Sequence, residues 1–199
     1  MICSDIKHNF LIHYLLALGS ICITPLIFGI SELSEQMSAQ PLEMISSVIG
    51  IITSTPVFMP EQDRNIRDLV RAKKTSHELV CILRILCSLF VIVLLAGALS
   101  VLMKYNDSGV TSRLFASAVS SAFALGSLGC FTASANESSI IGYMVSTAYF
   151  LMNLFLRSKL GIFDLFTFSD GNFQVNIWLY ISSAILIVSA ILAQKIKSR

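Results

Sequence analysis

Long apolar runs alternate with short polar ones along this chain, and that alternation dominates its pattern. The apolar runs cover residues 9–30, 41–59, 79–103, 114–133, 140–156 and 173–193. A helix needs about 20 mostly apolar residues to cross a hydrocarbon core, so each run is read as a transmembrane helix. The expected fold class is an all-α polytopic membrane protein with six transmembrane helices in a single domain, residues 1–199. The first run exceeds the roughly 7–15 residues of a signal-peptide core. Ser31–Gln40 makes a weak cleavage site, so helix 1 is read as retained. Pro25 is expected to kink it, and Pro41 suits the first position of helix 2.

One polar stretch is unlike the others. Residues 60–78 read P-E-Q-D-R-N-I-R-D-L-V-R-A-K-K-T-S-H-E and hold five of the fourteen basic and four of the twelve acidic residues. A period of 3.6 puts Ile66, Leu69 and Val70 on one side. Arg64, Arg67 and Arg71 form a basic ridge beside them. This is a short amphipathic helix between two membrane-length segments, suited either to a lipid surface or to a soluble partner.

Composition supports the membrane reading. The chain is 55% hydrophobic and 13% charged, against about 25% charged residues in ordinary soluble domains, and its mean hydropathy is +0.77. A net charge of +2 gives no reason to expect nucleic acid. Cys3, Cys22, Cys81, Cys87 and Cys130 are scattered without a CxxC pair and read as small packing residues.

Charge placement gives an orientation. With the N-terminus inside, the inner segments hold ten basic residues: Lys7, Arg64, Arg67, Arg71, Lys73, Lys74, Arg84, Lys195, Lys197 and Arg199. The outer segments hold four: Lys104, Arg113, Arg157 and Lys159. Basic residues concentrate on the cytoplasmic side, so both termini and the 60–78 stretch are expected there, in a multi-pass protein of the cell membrane. Arg84, in the first turns of helix 3, can snorkel to the interface and is not by itself read as a functional group.

Helix 4 has a texture of its own. Ala118, Ala122, Gly126 and Cys130 recur every four residues, with Ser117, Ser121 and Leu125 beside them. Small residues at this spacing let membrane helices approach closely, so helix 4 belongs either in the middle of the bundle or at a subunit contact. Lining of a pathway is the alternative. Asn153, inside helix 5, needs a hydrogen-bonding partner or a cavity. Residues 157–172 carry Phe163, Phe166 and Phe168 and read as interfacial or partly re-entrant structure.

No catalytic set is expected. His8, His13 and His77 are the three histidines, and none falls in helices 3 to 6 to activate a serine. No HExxH pattern, no aspartate deep in a helix and no GxxxxGK[ST] loop occurs. No metal site is expected, and no charge cluster is read as an ion route.

These features together resemble the membrane subunit of an ABC-2 type transporter. The resemblance rests on six spans, a first cytoplasmic loop opening P-E-Q-D-R-N-I-R-D-L-V, and the aromatic segment before the last helix. In that family a coupling helix, often introduced by Pro-Glu, docks on a separate ATP-binding cassette subunit, which binds ATP and Mg. Short embedded helices lie between spans 5 and 6. Carried over, Glu61, Asp63, Arg64, Arg67 and Arg71 would contact the ATPase, and Ile66, Leu69 and Val70 would seat the helix. Ala118, Ser121, Ala122, Gly126 and Asn153 would serve the pathway or helix packing. The chain departs from some members in lacking a long amphipathic helix before span 1. The resemblance implies a non-enzymatic permease subunit, paired with a second copy or a similar permease, that exports an amphipathic, lipid-like or peptide cargo. The competing expectation is an accessory or scaffold membrane protein whose basic helix binds anionic lipid. The acidic residues Glu61, Asp63, Asp68 and Glu78 dilute the positive field that such binding needs.

Overall fold

A computed structural model describes residues 10–61, 77–156, 161, 163–169, 171 and 176–197. These residues are helical with connecting loops. The helices are α1 (Leu11–Phe28), α2 (Glu35–Ser54), α3 (His77–Tyr105), α4 (Ser112–Asn136), α5 (Ser139–Leu156) and α6 (Ile177–Lys197). A 3-10 turn, Thr55–Glu61, continues from α2. All six helices are long and apolar enough to cross a membrane, with the turn extending the second span to Pro60.

With the 3-10 turn counted into helix 2, most boundaries lie within three residues of the sequence expectation, while the start of helix 2 and both ends of helix 6, which closes at Lys197 and not at 193, differ by more. Helix 2 starts at Glu35 and not at Pro41, which lies inside it. Ser34 caps the helix by accepting a hydrogen bond from the Met37 N–H at 3.4 Å. Glu35 adds a negative charge to the first turn, where the helix dipole favours it. Helix 6 starts at Ile177 and not at 173, and Asn176 precedes it without helical structure.

The helices form a bundle with α4 at its centre, in contact with α2, α3, α5 and α6. α1 lies outside, against α2 and α3. α2 and α4 run parallel, because successive partners climb both helices together: Glu43 with Ser117, Gly50 with Ala122, Ser54 with Gly126. Their contact is close. A Cβ at Gly50 would run into the Ala122 carbonyl, and a Cβ at Gly129 would run into the Thr55 hydroxyl. Only glycine permits that separation.

The two ends of the bundle can be told apart. At one end the α1–α2 loop is stitched to the α3–α4 loop. Glu32 N–H donates to the Asn106 carbonyl at 3.1 Å, and Gly109 N–H donates to the Leu33 carbonyl at 2.9 Å. Ser108 Oγ donates to the Ile30 carbonyl at 2.7 Å. At the other end Val57 and Phe58 pack with Cys81, Ile85, Cys130 and Ala190. The 60–78 stretch joins α2 to α3 at this second end. Residues 62–76 lie outside the described residues, and with them Asp63, Arg64, Ile66, Arg67, Leu69, Val70 and Arg71. Of Glu61 only the backbone is described, as the end of the 3-10 turn.

Arg84 does not reach the surface as expected. It is buried, 7% exposed. Its neighbours Cys81 and Ile85 pack with Val57 and Phe58 of the turn following α2 and with Ala190 of α6.

Candidate functional site: a buried carboxylate and an inserted segment

The most unusual chemistry of the bundle lies at its first end, on α2. Glu43 is the ninth residue of that helix and is completely buried. With a rise of 1.5 Å per residue it sits about 12 Å along the helix, well past the first turn. Burying a carboxylate is costly unless its oxygens are hydrogen-bonded, and here both are. Ser117 Oγ, from α4, donates to Oε1 at 2.7 Å. The Phe168 N–H donates to the same oxygen at 3.3 Å. The Ser169 N–H and hydroxyl donate to Oε2 at 3.3 Å and 3.0 Å.

Three of these four donors come from residues 163–169, the part of the α5–α6 connection that folds into the bundle. Leu165, Phe166 and Phe168 are buried. Phe166 packs edge-on against Phe150, with ring centroids 5.8 Å apart. A segment without a continuous helical hydrogen-bond ladder needs partners for its own backbone when it is enclosed. α5 supplies one through Asn153, which is fully buried. Its Oδ1 accepts the Leu165 N–H at 3.0 Å, and its Nδ2 donates to the Tyr149 carbonyl at 3.0 Å. α4 supplies another, because Ser121 Oγ donates to the Leu165 carbonyl. Tyr149 OH donates to the Phe163 carbonyl at 2.8 Å. Within the segment, Asp164 Oδ1 accepts the Phe166 N–H at 2.9 Å.

The residues singled out on α4 and α5 therefore fall into two roles. Ser121 and Asn153 hold the inserted segment. Ala118, Ala122 and Gly126 are packing positions: Ala118 and Ala122 are fully buried, and a Cβ on Gly126 would sit 2.8 Å from Ser54 Oγ. Glu43 went unread in the sequence. A start at Pro41 makes it an end-of-helix residue in contact with water. The signal that places it inside is Ser34 followed by Glu35, which starts the helix two turns earlier.

Further along the same α2 face the seam with α4 stays polar. Ser46 and Ser47 are fully buried, and their hydroxyls have no hydrogen-bond partner among the described residues. Ser54 and Ser88 hydroxyls lie 2.9 Å apart, beside a small void of about 10 Å³ that Gly126 and Ser127 also line. A groove of about 390 Å³ opens laterally, lined by apolar residues of α4, α5 and α6 together with Tyr149, Phe163 and Ser182. Among the described residues no group of His, Cys, Asp or Glu is arranged to hold a metal ion. A carboxylate that accepts four hydrogen bonds is a clasp; its oxygens are occupied by the protein itself. No known protein family matches the chain, and neither a curated protein nor a solved structure matches it.

Proposed function

We propose that this chain is the membrane-spanning subunit of an ATP-driven exporter of the ABC-2 type. It lies in the cell membrane with both termini and the 60–78 stretch in the cytoplasm. The observation that best supports this reading is the difference between the two ends. The chain's densest run of charge joins α2 to α3 at one end. At the other, the connection between α5 and α6 folds back into the bundle, where Glu43 and Asn153 hold it. A pump needs such a division: a soluble motor pulls on one face while the opposite face controls passage.

The coupling stretch, with Glu61, Asp63, Arg64, Arg67 and Arg71 as its charged contacts and Ile66, Leu69 and Val70 as its apolar seat, docks on a separate ATP-binding cassette subunit. That partner binds ATP and Mg and hydrolyses ATP. Its closure biases the bundle between two states, a coupling between distinct sites. Large apolar side chains face outward on α1, α5 and α6, Leu26 and Phe155 most openly at 86% and 81%. They suit contact with lipid and with a second membrane chain. The hydroxyl-bearing seam and the apolar lateral groove suit an amphipathic, lipid-like or peptide cargo.

The test is purification of the tagged chain from its native membrane in mild detergent. A soluble ATPase should accompany it in fixed stoichiometry, and the double change Arg67→Glu and Arg71→Glu should release that ATPase while the chain still inserts. A chain that purifies without an ATPase contradicts the proposal. If the double change alters only binding to anionic vesicles, the charged stretch is a lipid anchor and the protein a scaffold.

A further inference from the structure

The inserted segment is held at two points of different kind. Leu165 is pinned through both backbone groups, its N–H by Asn153 of α5 and its carbonyl by Ser121 of α4. Three residues on, the Phe168 N–H and the Ser169 N–H and hydroxyl all bond the single carboxylate of Glu43. Glu43 of α2 thus gathers the backbone of the far end of the segment, where the Ser117 and Thr167 hydroxyls also lie 3.3 Å apart and the Phe168 ring is buried in the core, while Leu165 is tied to α4 and α5 by bonds that do not involve Glu43.

Behind that end lies hydrogen-bonding capacity that the closed bundle leaves unused. Ser46 and Ser47 follow Glu43 by three and four residues and precede Gly50 by the same intervals, so all four share the helix face that meets α4. Both serines are fully buried, and their hydroxyls have no partner among the described residues. Across the seam, Ser120 turns its hydroxyl back onto the Ser117 carbonyl at 2.7 Å. Buried hydroxyls without partners are uncommon because each carries a desolvation cost. Two of them lie one turn beyond Glu43 on the same face of α2.

We propose that Glu43 latches residues 167–169 over the α2–α4 seam, with Leu165 as the pivot, and that release of the latch opens a hydroxyl-lined site for a hydrogen-bonding ligand. The proposal concerns the chain alone and holds with or without an ATPase partner.

Thiol accessibility tests it. The full chain is placed in lipid nanodiscs with Cys3, Cys22, Cys81 and Cys87 replaced by alanine, keeping Cys130, which is buried at the opposite end. Two reporters are added separately: Thr167→Cys on the latched end and the near-isosteric Ser47→Cys behind it, both at buried positions. The probe is a charged, membrane-impermeant maleimide. With Glu43 present both reporters react slowly. Glu43→Gln keeps the volume but presents a donor where the Ser169 N–H needs an acceptor, and Glu43→Ala removes the clasp. Each substitution should speed labelling at both reporters by at least about ten-fold, as expected for loss of one or more buried hydrogen bonds, while Cys130 stays unlabelled. Unchanged rates at both reporters would overturn the latch. Faster labelling of Thr167→Cys without Ser47→Cys would show that nothing opens behind the segment. Parallel labelling of Cys130 would make Glu43 a residue that holds the whole bundle together and not a latch.

Discussion

α1 and α2 are neighbours in sequence and in space, yet they bury opposite shares of their surface. α1 is the more apolar of the two, and only 17% of its most apolar 18 residues are buried within the chain. α2 carries four serines, one threonine and two glutamates, and 78% of the corresponding window is buried. α4, equally rich in small and hydroxyl-bearing residues, is 72% buried, whereas the strongly apolar α6 is 17% buried. α5 stands apart from the trend, with the modest hydropathy of α2 and only 22% burial. It flanks the lateral groove. With lipid as the solvent, apolar side chains gain little by leaving it, and helices associate through close packing and interhelical hydrogen bonds. The centre of this bundle is therefore its least apolar part.

Three substitutions probe that contrast. The largest effect is expected at Gly50, where a side chain meets the Ala122 backbone carbonyl. Gly50→Val should force α2 and α4 apart and lower stability by about 3 kcal/mol, at the top of the usual overpacking range, read as a fall in the denaturation midpoint in detergent. A neutral outcome would mean that the two helices do not touch there. Next comes Asn153→Leu, which leaves the enclosed Leu165 N–H without its acceptor. One unpaired buried donor costs roughly 1–3 kcal/mol, so the same assay should show a smaller loss, and Asn153→Asp, which keeps an acceptor, should restore part of it. Rescue by leucine in place of loss would show that Asn153 serves no bond. The smallest effect belongs to α1. Leu15 is 58% exposed, and Leu15→Ala should stay within about 0.5 kcal/mol, as surface substitutions do. A loss comparable to Gly50→Val would place a partner chain on that face.

Much of this arrangement was legible in the sequence. Helix length and number follow from the apolar runs, because 20 residues is a length the bilayer dictates. Small residues at every fourth position distinguish helix 4, and the aromatic residues at 163, 166 and 168 distinguish the connection that folds inward. Asn153 was recognised as needing a partner, but the partner, a backbone N–H twelve residues away, depends on the path of a loop that periodicity does not describe. Glu43 escaped notice for a local reason: Pro41 looks like a first helical residue, and the Ser34 cap that starts the helix earlier competes with it. Arg84 is free to snorkel on the sequence alone, because its burial depends on tertiary contacts that its position near a helix end does not reveal.

Sidedness is the most direct test of the division between the two ends. Single cysteines introduced by Ala72→Cys in the charged stretch and by Tyr105→Cys at the stitched loops, where Tyr105 is 89% exposed, can be labelled with an impermeant thiol reagent in right-side-out and inside-out membrane vesicles. The proposed arrangement predicts labelling of Ala72→Cys only in inside-out vesicles and of Tyr105→Cys only in right-side-out vesicles. Labelling of both from the same face would contradict it, since a docking stretch and an opposing latch could not then lie across a membrane from one another.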